Sequence, residues 1–332
     1  MLRNSRGFSL IETLLLVFVL VVLGGVGYYV FESKKTAEQT YINTLDSPVE
    51  ASKKVKIVAV GDISCSDEDR TKLDLSKNCT DKETYELAKS LDPQSVLLLG
   101  DLQYSVGALD QFNNNFDKTW GQFLDISYPT PGNHEHETPG ANGYYKYFSK
   151  SPHYQKIKEG YYSFDLGGWH IISLDSTCDK TNNCSADSQQ IKWLEQDLSK
   201  NNTKCTLAFW HYPRYTSGRY FSQGSYKDYT EQFWQKLSAY KADVVLSGHD
   251  HIYERFASLD SSGNSDKTGI KQFVAGSGGR SLYERKITQN NTDFISDDNY
   301  GVLELELEPS KYSWKFHNLD NKILDSGSSN CN

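Results

Sequence analysis

The sequence predicts an α/β protein, a two-sheet β-sandwich flanked by helices and preceded by one N-terminal transmembrane helix. Three observations carry this expectation. Short apolar runs ending in Gly-Asp or His-rich turns alternate with helix-like stretches, hairpin-like segments gather in the second half, and a charge-free apolar segment opens the chain.

That opening segment runs from Thr13 to Phe31, behind Arg3 and Arg6 and ahead of Lys34 and Lys35. Its length suits a spanning helix, which needs about 20 residues, and no small-residue cleavage site closes it as in a secreted precursor. A spanning helix is expected over 8–31. From Glu32 to Lys54 the chain is polar, without a sustained apolar period, and reads as a linker. Strand-like runs follow at Val55–Val60, Val96–Leu99, Thr206–Phe209 and Val244–Leu246, with helix-like stretches around Lys82–Ser90, Asp187–Leu198 and Thr230–Tyr240. Tyr161–Asp165 and His170–Leu174 form a hairpin pattern across Gly167-Gly168, and Lys271–Ala275, Val302–Glu308 and Tyr312–His317 add further strand-like pieces. One domain is expected over 55–320, with 321–332 as a C-terminal tail.

A chain of 332 residues with net charge −8 and 22 tyrosines has ample apolar and aromatic surface for a core. No Lys/Arg run beyond the first 60 residues could track a nucleic-acid backbone, so nucleic acid is not expected as a partner; small phosphorylated substrates fit. The six cysteines, Cys65, Cys79, Cys178, Cys184, Cys205 and Cys331, contain no C-x-x-C pair. For an exported domain disulfides are the natural reading. Cys65–Cys79 and Cys178–Cys184 would close short loops and leave Cys205 to Cys331, although other pairings, or six buried thiols, stay open.

Five polar motifs stand at the ends of the strand-like runs: Gly61-Asp62-Ile63-Ser64, Gly100-Asp101-Leu102-Gln103-Tyr104, Gly132-Asn133-His134-Glu135, Trp210-His211 and Gly248-His249-Asp250-His251. Open α/β sheets collect ligand groups at such ends, and the glycine in four of the motifs permits the sharp turn that brings the next side chain into a shared cleft. Carboxylate, imidazole and amide oxygen are donors suited to first-row metals. His249 and His251, two apart in an extended segment, would point to the same side. A lone Gly-Asp is ordinarily a turn; five elements in this order, each behind an apolar run, are not explained as turns.

In order and residues the motifs resemble the calcineurin-like metallophosphoesterases from Val55 to His317, and with them the αββα fold of that superfamily. Many members carry Asp-x-His in the first motif. Here Asp62-Ile63-Ser64 lacks that histidine, while Tyr104 lies three residues after Asp101, as in the purple acid phosphatase branch. The resemblance implies Asp62, Tyr104 and His251 on one metal ion, Asn133, His211 and His249 on a second, and Asp101 bridging them. It implies iron at the Asp62 site, zinc, manganese or iron at the other, attack by a hydroxide held between them, and His134 as general acid with Glu135 as its partner. Where plant-type members carry substrate-facing histidines this chain has Arg214 and Arg219, either of which could hold phosphate by a bidentate hydrogen bond, or stand as a solvated surface arginine. Ser64 stands where the close family has glycine. The separate N-terminal β-domain of the plant enzymes has no room here, as in the short bacterial forms.

Arg6-Gly7-Phe8-Ser9-Leu10-Ile11-Glu12 resembles the processing site of type IV prepilins. The resemblance implies a leader over 1–7, cleavage after Gly7, methylation of Phe8, and a functional role for Glu12, since a carboxylate inside an apolar segment costs about 2–3 kcal/mol. A prepilin peptidase and type IV pilus or secretion components are the partners implied. The expected arrangement is a single-pass protein of a bacterial cytoplasmic membrane with its phosphoesterase domain outside. The alternative is a pilus-associated surface protein whose phosphoesterase-like domain serves as a binding head.

Overall fold

A computed structural model describes residues 54–72, 79–222 and 224–332. The expected leader, spanning helix and all but the last residue of the linker, with Gly7, Phe8 and Glu12, lie outside the described residues. Among the described residues no helix is long and apolar enough to cross a membrane.

The strands, in chain order, are β1 (Val55–Val60), β2 (Ser95–Leu99), β3 (Ser127–Thr130), β4 (Tyr162–Leu166), β5 (Trp169–Ser173), β6 (Cys205–Phe209) and β7 (Val244–Ser247). They continue as β8 (Tyr253–Leu259), β9 (Ile270–Ala275), β10 (Thr292–Ser296), β11 (Gly301–Glu308), β12 (Lys311–Asn318) and β13 (Ile323–Asn330). One sheet has the order β13-β12-β11-β1-β2-β3, the other β10-β8-β9-β7-β6-β5-β4. Each contains a parallel core, β1-β2-β3 in the first and β5-β6-β7-β9 in the second. The antiparallel strands lie toward the edges. β1 bridges the two kinds of pairing, parallel to β2 and antiparallel to β11.

Side-chain parity explains the layering. Along β6, Cys205, Leu207 and Phe209 join the core that also holds Ile57, Ala59, Leu303 and Leu305 of the first sheet. Ala208 points the other way and packs with Ile191, Leu194, Phe233 and Trp234 of two covering helices. β7 repeats the pattern, with Val244 and Leu246 in the shared core and Val245 among the helices. Burial of each such aliphatic or aromatic side chain contributes about 1.5–3 kcal/mol. Helix Gln189–Lys200 starts where Ser188 caps it, its side chain accepting the Ile191 N–H.

The three disulfides are Cys65–Cys79, Cys178–Cys184 and Cys205–Cys331, with Cα separations of 6.2, 5.6 and 5.4 Å. The last corrects one expectation. Residues 321–332 are not a tail, because 323–330 form the edge strand β13, paired with β12 and followed by the bridge to β6. The strand was hidden because its Ser-Gly-Ser-Ser-Asn half has no apolar alternation; an edge strand with one solvent-facing side needs only its backbone ladder.

Candidate metal centre

The motif side chains meet where the parallel strands of both sheets end. Asp62 follows β1, Asp101 follows β2, Asn133 follows β3, His211 follows β6, and His249 and His251 follow β7. Three of them turn off their strands in the left-handed region, with φ of 61° at Asp62, 50° at Asp101 and 70° at His249. Non-glycine residues adopt this conformation rarely, and its cost is borne by the surrounding bonds. Asp62 and Ile63 donate their N–H groups to Gly100 and Asp101 O, tying the first loop to the second. Gly100 is required twice over: its φ is +84°, and a Cβ there would lie 2.6 Å from His211 Nδ1.

Tyr104 Oη lies 2.9 Å from Asp62 Oδ1, 3.1 Å from Asp101 Oδ2 and 3.0 Å from His251 Nε2. His251 Nδ1 donates to the Ser281 carbonyl at 2.6 Å, so a neutral ring presents a bare Nε2 to the phenol. One phenolic proton thus faces three acceptors. The second half gathers around His211. His211 Nδ1 donates to Leu99 O at 2.9 Å, leaving Nε2 3.3 Å from both Asp101 Oδ2 and Asn133 Oδ1. His249 completes this side, its ligand atom within 4.8 Å of those of Asp101 and His211.

Electrostatics points the same way. Burial alone would raise the Asp101 carboxyl, but the imidazoles of His211 and His134 hold it well below the usual carboxylate range. Burial alone would lower His211, yet Asp101 and Asp62 push it up to about 9. Burial, then the Asp101 and Asp62 charges, pushes the Tyr104 phenol well above its ordinary range. Burial and the charge of His211 push His249 well below its own. Buried carboxylate, phenol, amide and imidazole groups converge here, a donor set that fits metal cations.

All seven expected ligands are therefore brought together, and two expectations are refined. His249 and His251 do not act as alternating strand residues: the left-handed His249 faces Asp101 and His211, whereas His251 faces Tyr104 and Asp62. Glu135 is not held by the His134 side chain. Its buried carboxylate accepts N–H bonds from Asp101, Leu102, Gln103 and Gly132, because these loops turn away from their sheet and leave donors unpaired. Burial and the Asp101 charge raise its carboxyl to about 6.

His134 stands at the edge of the cluster, its side chain 32% exposed and Nε2 3.8 Å from Asp101 Oδ2. Its backbone N–H donates to Asp101 Oδ1 at 2.9 Å, and Nδ1 bonds the Ser105 carbonyl. Of the two arginines, Arg214 is ion-paired with Glu231 on the covering helix Gly224–Ala239. Arg219 is exposed and lies 4.9 Å above the ring of Tyr283, which stacks on His251 at 3.9 Å. Tyr220 likewise stacks on His249, at 4.1 Å. These tyrosines were not legible as site residues; a loop aromatic carries no periodic signal.

Residues 55–253 match the family model described as calcineurin-like phosphoesterase. The chain belongs to the calcineurin-like phosphoesterases. Among its relatives, purple acid phosphatase 23 of Arabidopsis thaliana is 27% identical over 295 residues, 79% of this chain and 59% of that protein. Purple acid phosphatase 15 of the same plant is 28% identical over 236 residues, 60% and 40%. The chain thus spans about half the length of the curated relatives it matches. Among solved structures, a purple acid phosphatase from yellow lupin (Lupinus luteus) seeds superimposes with a TM-score of 0.69 at 18% identity, covering 83% of this chain and 53% of that one. That likeness shows the shared fold. The phosphoesterase domain of this chain therefore has purple acid phosphatase homologues, and its clustered Asp101, His211 and His249 form a candidate metal site.

Proposed function

We propose that this phosphoesterase hydrolyses phosphate esters of small molecules, chiefly phosphomonoesters, with two metal ions. The observation that carries the reading is the convergence of Asp62, Tyr104 and His251 on one side of Asp101 and of Asn133, His211 and His249 on the other. Asp62, Tyr104 and His251 would hold iron, the phenolate being a donor suited to Fe(III); Asn133, His211 and His249 would hold zinc, manganese or iron. When bound, such a pair supplies a water of lowered pKa and positive charge for the phosphoryl oxygens.

The chain's own residues do the rest. Asp101 accepts from the His134 N–H, which fixes His134 beside the cluster. With Nδ1 committed to Ser105 O, Nε2 is the atom left to carry a transferable proton. As the ester P–O bond breaks and the water oxygen bonds to phosphorus, that proton passes to the leaving oxygen. Arg219, at the mouth above Tyr283, would hold a non-reacting phosphate oxygen.

The location proposed is outside a bacterial cytoplasmic membrane, with the apolar run Thr13–Phe31 as anchor. Three disulfides support an oxidising compartment. The deciding experiment assays the purified, metal-loaded protein on a panel of mono- and diesters with poor and activated leaving groups. His134→Ala should cut turnover of poor leaving groups by about 10²–10⁴-fold and spare activated esters. Metal-loaded wild-type protein that binds phosphate yet turns over none of the panel would leave only the binding-head reading.

A further inference from the structure

Asp69 is a carboxylate that the chemistry above does not use, and it is nearly buried. It lies on the short helix Asp67–Lys72, within the segment that the Cys65–Cys79 bridge closes. Both of its oxygens accept from Ser105 Oγ, at 2.8 Å each. The backbone carbonyl of the same Ser105 receives His134 Nδ1. On its other side Asp69 Oδ2 lies 3.6 Å from an Arg280 guanidinium nitrogen, and that guanidinium lies 5.0 Å above the Tyr104 ring. The Tyr104 ring packs against His134 at 4.3 Å. The contacts close a circuit: His134, Ser105, Asp69, Arg280, Tyr104 and back to His134.

Arg280 is itself anchored at the bridge. Its nitrogen reaches Cys65 Sγ at 3.5 Å, residue 280 pairs with Cys79 as an isolated bridge, and its backbone N–H donates to Asp62 O at 2.9 Å. The side chain that orients Ser105 thus comes from the loop that this disulfide closes, and the side chain that backs Tyr104 comes from a segment that rests against both of its cysteines.

We propose that Asp69 is a positioning residue for His134, holding the Ser105 carbonyl that aims the imidazole and holding Arg280 against the ring on which it packs. This rests on His134 acting as the general acid. Asp69 is none of the expected metal donors, and its carboxylate contacts Ser105 and Arg280. Its effect passes through the orientation of one ring, so it should appear only where a proton must reach the leaving oxygen.

The test is a double-mutant cycle on the full-length, metal-loaded protein, with an alkyl phosphate and an activated aryl phosphate as the two probes. Asp69→Asn should lower kcat for the alkyl ester by about 10–100-fold, change the aryl ester little, and keep both metal equivalents. Asp69→Glu should restore part of the loss. Ser105→Ala, which breaks the same circuit at its next link, should show the same selectivity. In a His134→Ala background Asp69→Asn should cost nothing further on the alkyl ester. Losses that multiply in the double variant, or that fall equally on both esters, overturn the proposal. His134→Ala alone tests the general-acid role, and the cycle tests the circuit, so the two readings can fail separately.

Discussion

Glu135 fixes Asp101 through the backbone: its carboxylate accepts the Asp101 N–H at 2.8 Å and, with the same oxygen, the Gly132 N–H at 2.7 Å. A single buried anion thereby joins the loops after β2 and β3, and the position of Asp101 within the cluster depends on it. Glu135→Ala leaves several buried N–H groups unpaired, and each costs about 1–3 kcal/mol. Denaturant unfolding should show a loss of about 3 kcal/mol or more, together with weakened retention of both metals. Full metal content and an unchanged midpoint would show that the loops hold without it.

Loading of the metal-free protein should release protons. His211 is pushed up to about 9 by Asp101 and Asp62 against the opposing effect of burial, so at neutral pH it carries a proton that an entering cation must displace. Apparent affinity should rise with pH and level off above about 9. For the metal-free protein the sign is the reverse. A raised imidazole pKa contributes stability that is complete below the unfolded value of about 6.5 and is lost as pH climbs through about 9. Titration calorimetry of metal binding at pH 7, in two buffers of different ionisation enthalpy, measures the released protons. Identical heats in both buffers would contradict the linkage.

Tyr104 makes a separable claim. The phenol is held well above its ordinary pKa by burial and by Asp101 and Asp62, so it ionises only where a cation takes the place of its proton. Iron-loaded protein should therefore be coloured by a tyrosinate-to-Fe(III) transition, and Tyr104→Phe should remove the band while leaving the other donors in place. A colourless, fully active iron form would place the chain outside the purple branch and leave the phosphoesterase reading intact.

The two arginines should part company. Arg219→Ala removes an exposed guanidinium at the mouth and should raise KM for phosphomonoesters by about tenfold, the scale of a lost charge-assisted hydrogen bond, without changing the unfolding midpoint. Arg214→Ala removes the partner of Glu231 and should affect the attachment of helix Gly224–Ala239 more than KM. Steady-state kinetics paired with thermal unfolding separates the outcomes, and a KM effect confined to Arg214 would reverse the assignment.

Much of this centre was legible because its chemistry sits in runs. Gly61-Asp62, Gly100-Asp101 and Gly248-His249-Asp250-His251 each follow a continuous apolar strand, and parallel strands buried on both faces announce themselves by composition. β3 did not: its Ser-Tyr-Pro-Thr stretch is four residues long and contains a proline. β10 and β13 are polar strands near the sheet edges, without alternation. Tyr283 and Arg280 reach the cluster from the loop after β9, and Asp69 from a helix of six residues. Such residues are placed by tertiary contacts that leave no local period. The role of Glu135 was missed for the opposite reason: its neighbour His134 suggested a side-chain partner, whereas the unpaired backbone donors it serves belong to loops up to 34 positions away.

The N-terminal address can be tested apart from catalysis. Arg3 and Arg6 precede the apolar run, which favours their staying in the cytoplasm, while Lys34 and Lys35 oppose that mildly. The disulfides add an independent constraint, since Cys65–Cys79, Cys178–Cys184 and Cys205–Cys331 form and persist in an oxidising compartment. If Gly7-Phe8 is a prepilin site, mass spectrometry of the native protein should find a chain that begins at Phe8 with a methylated amine. Gly7→Val should then block processing and leave phosphoesterase turnover unchanged, because the candidate metal donors all lie beyond residue 61. A native chain beginning at Met1 would reduce the segment to a plain anchor, and one beginning beyond Phe31 would make the protein a freely secreted enzyme.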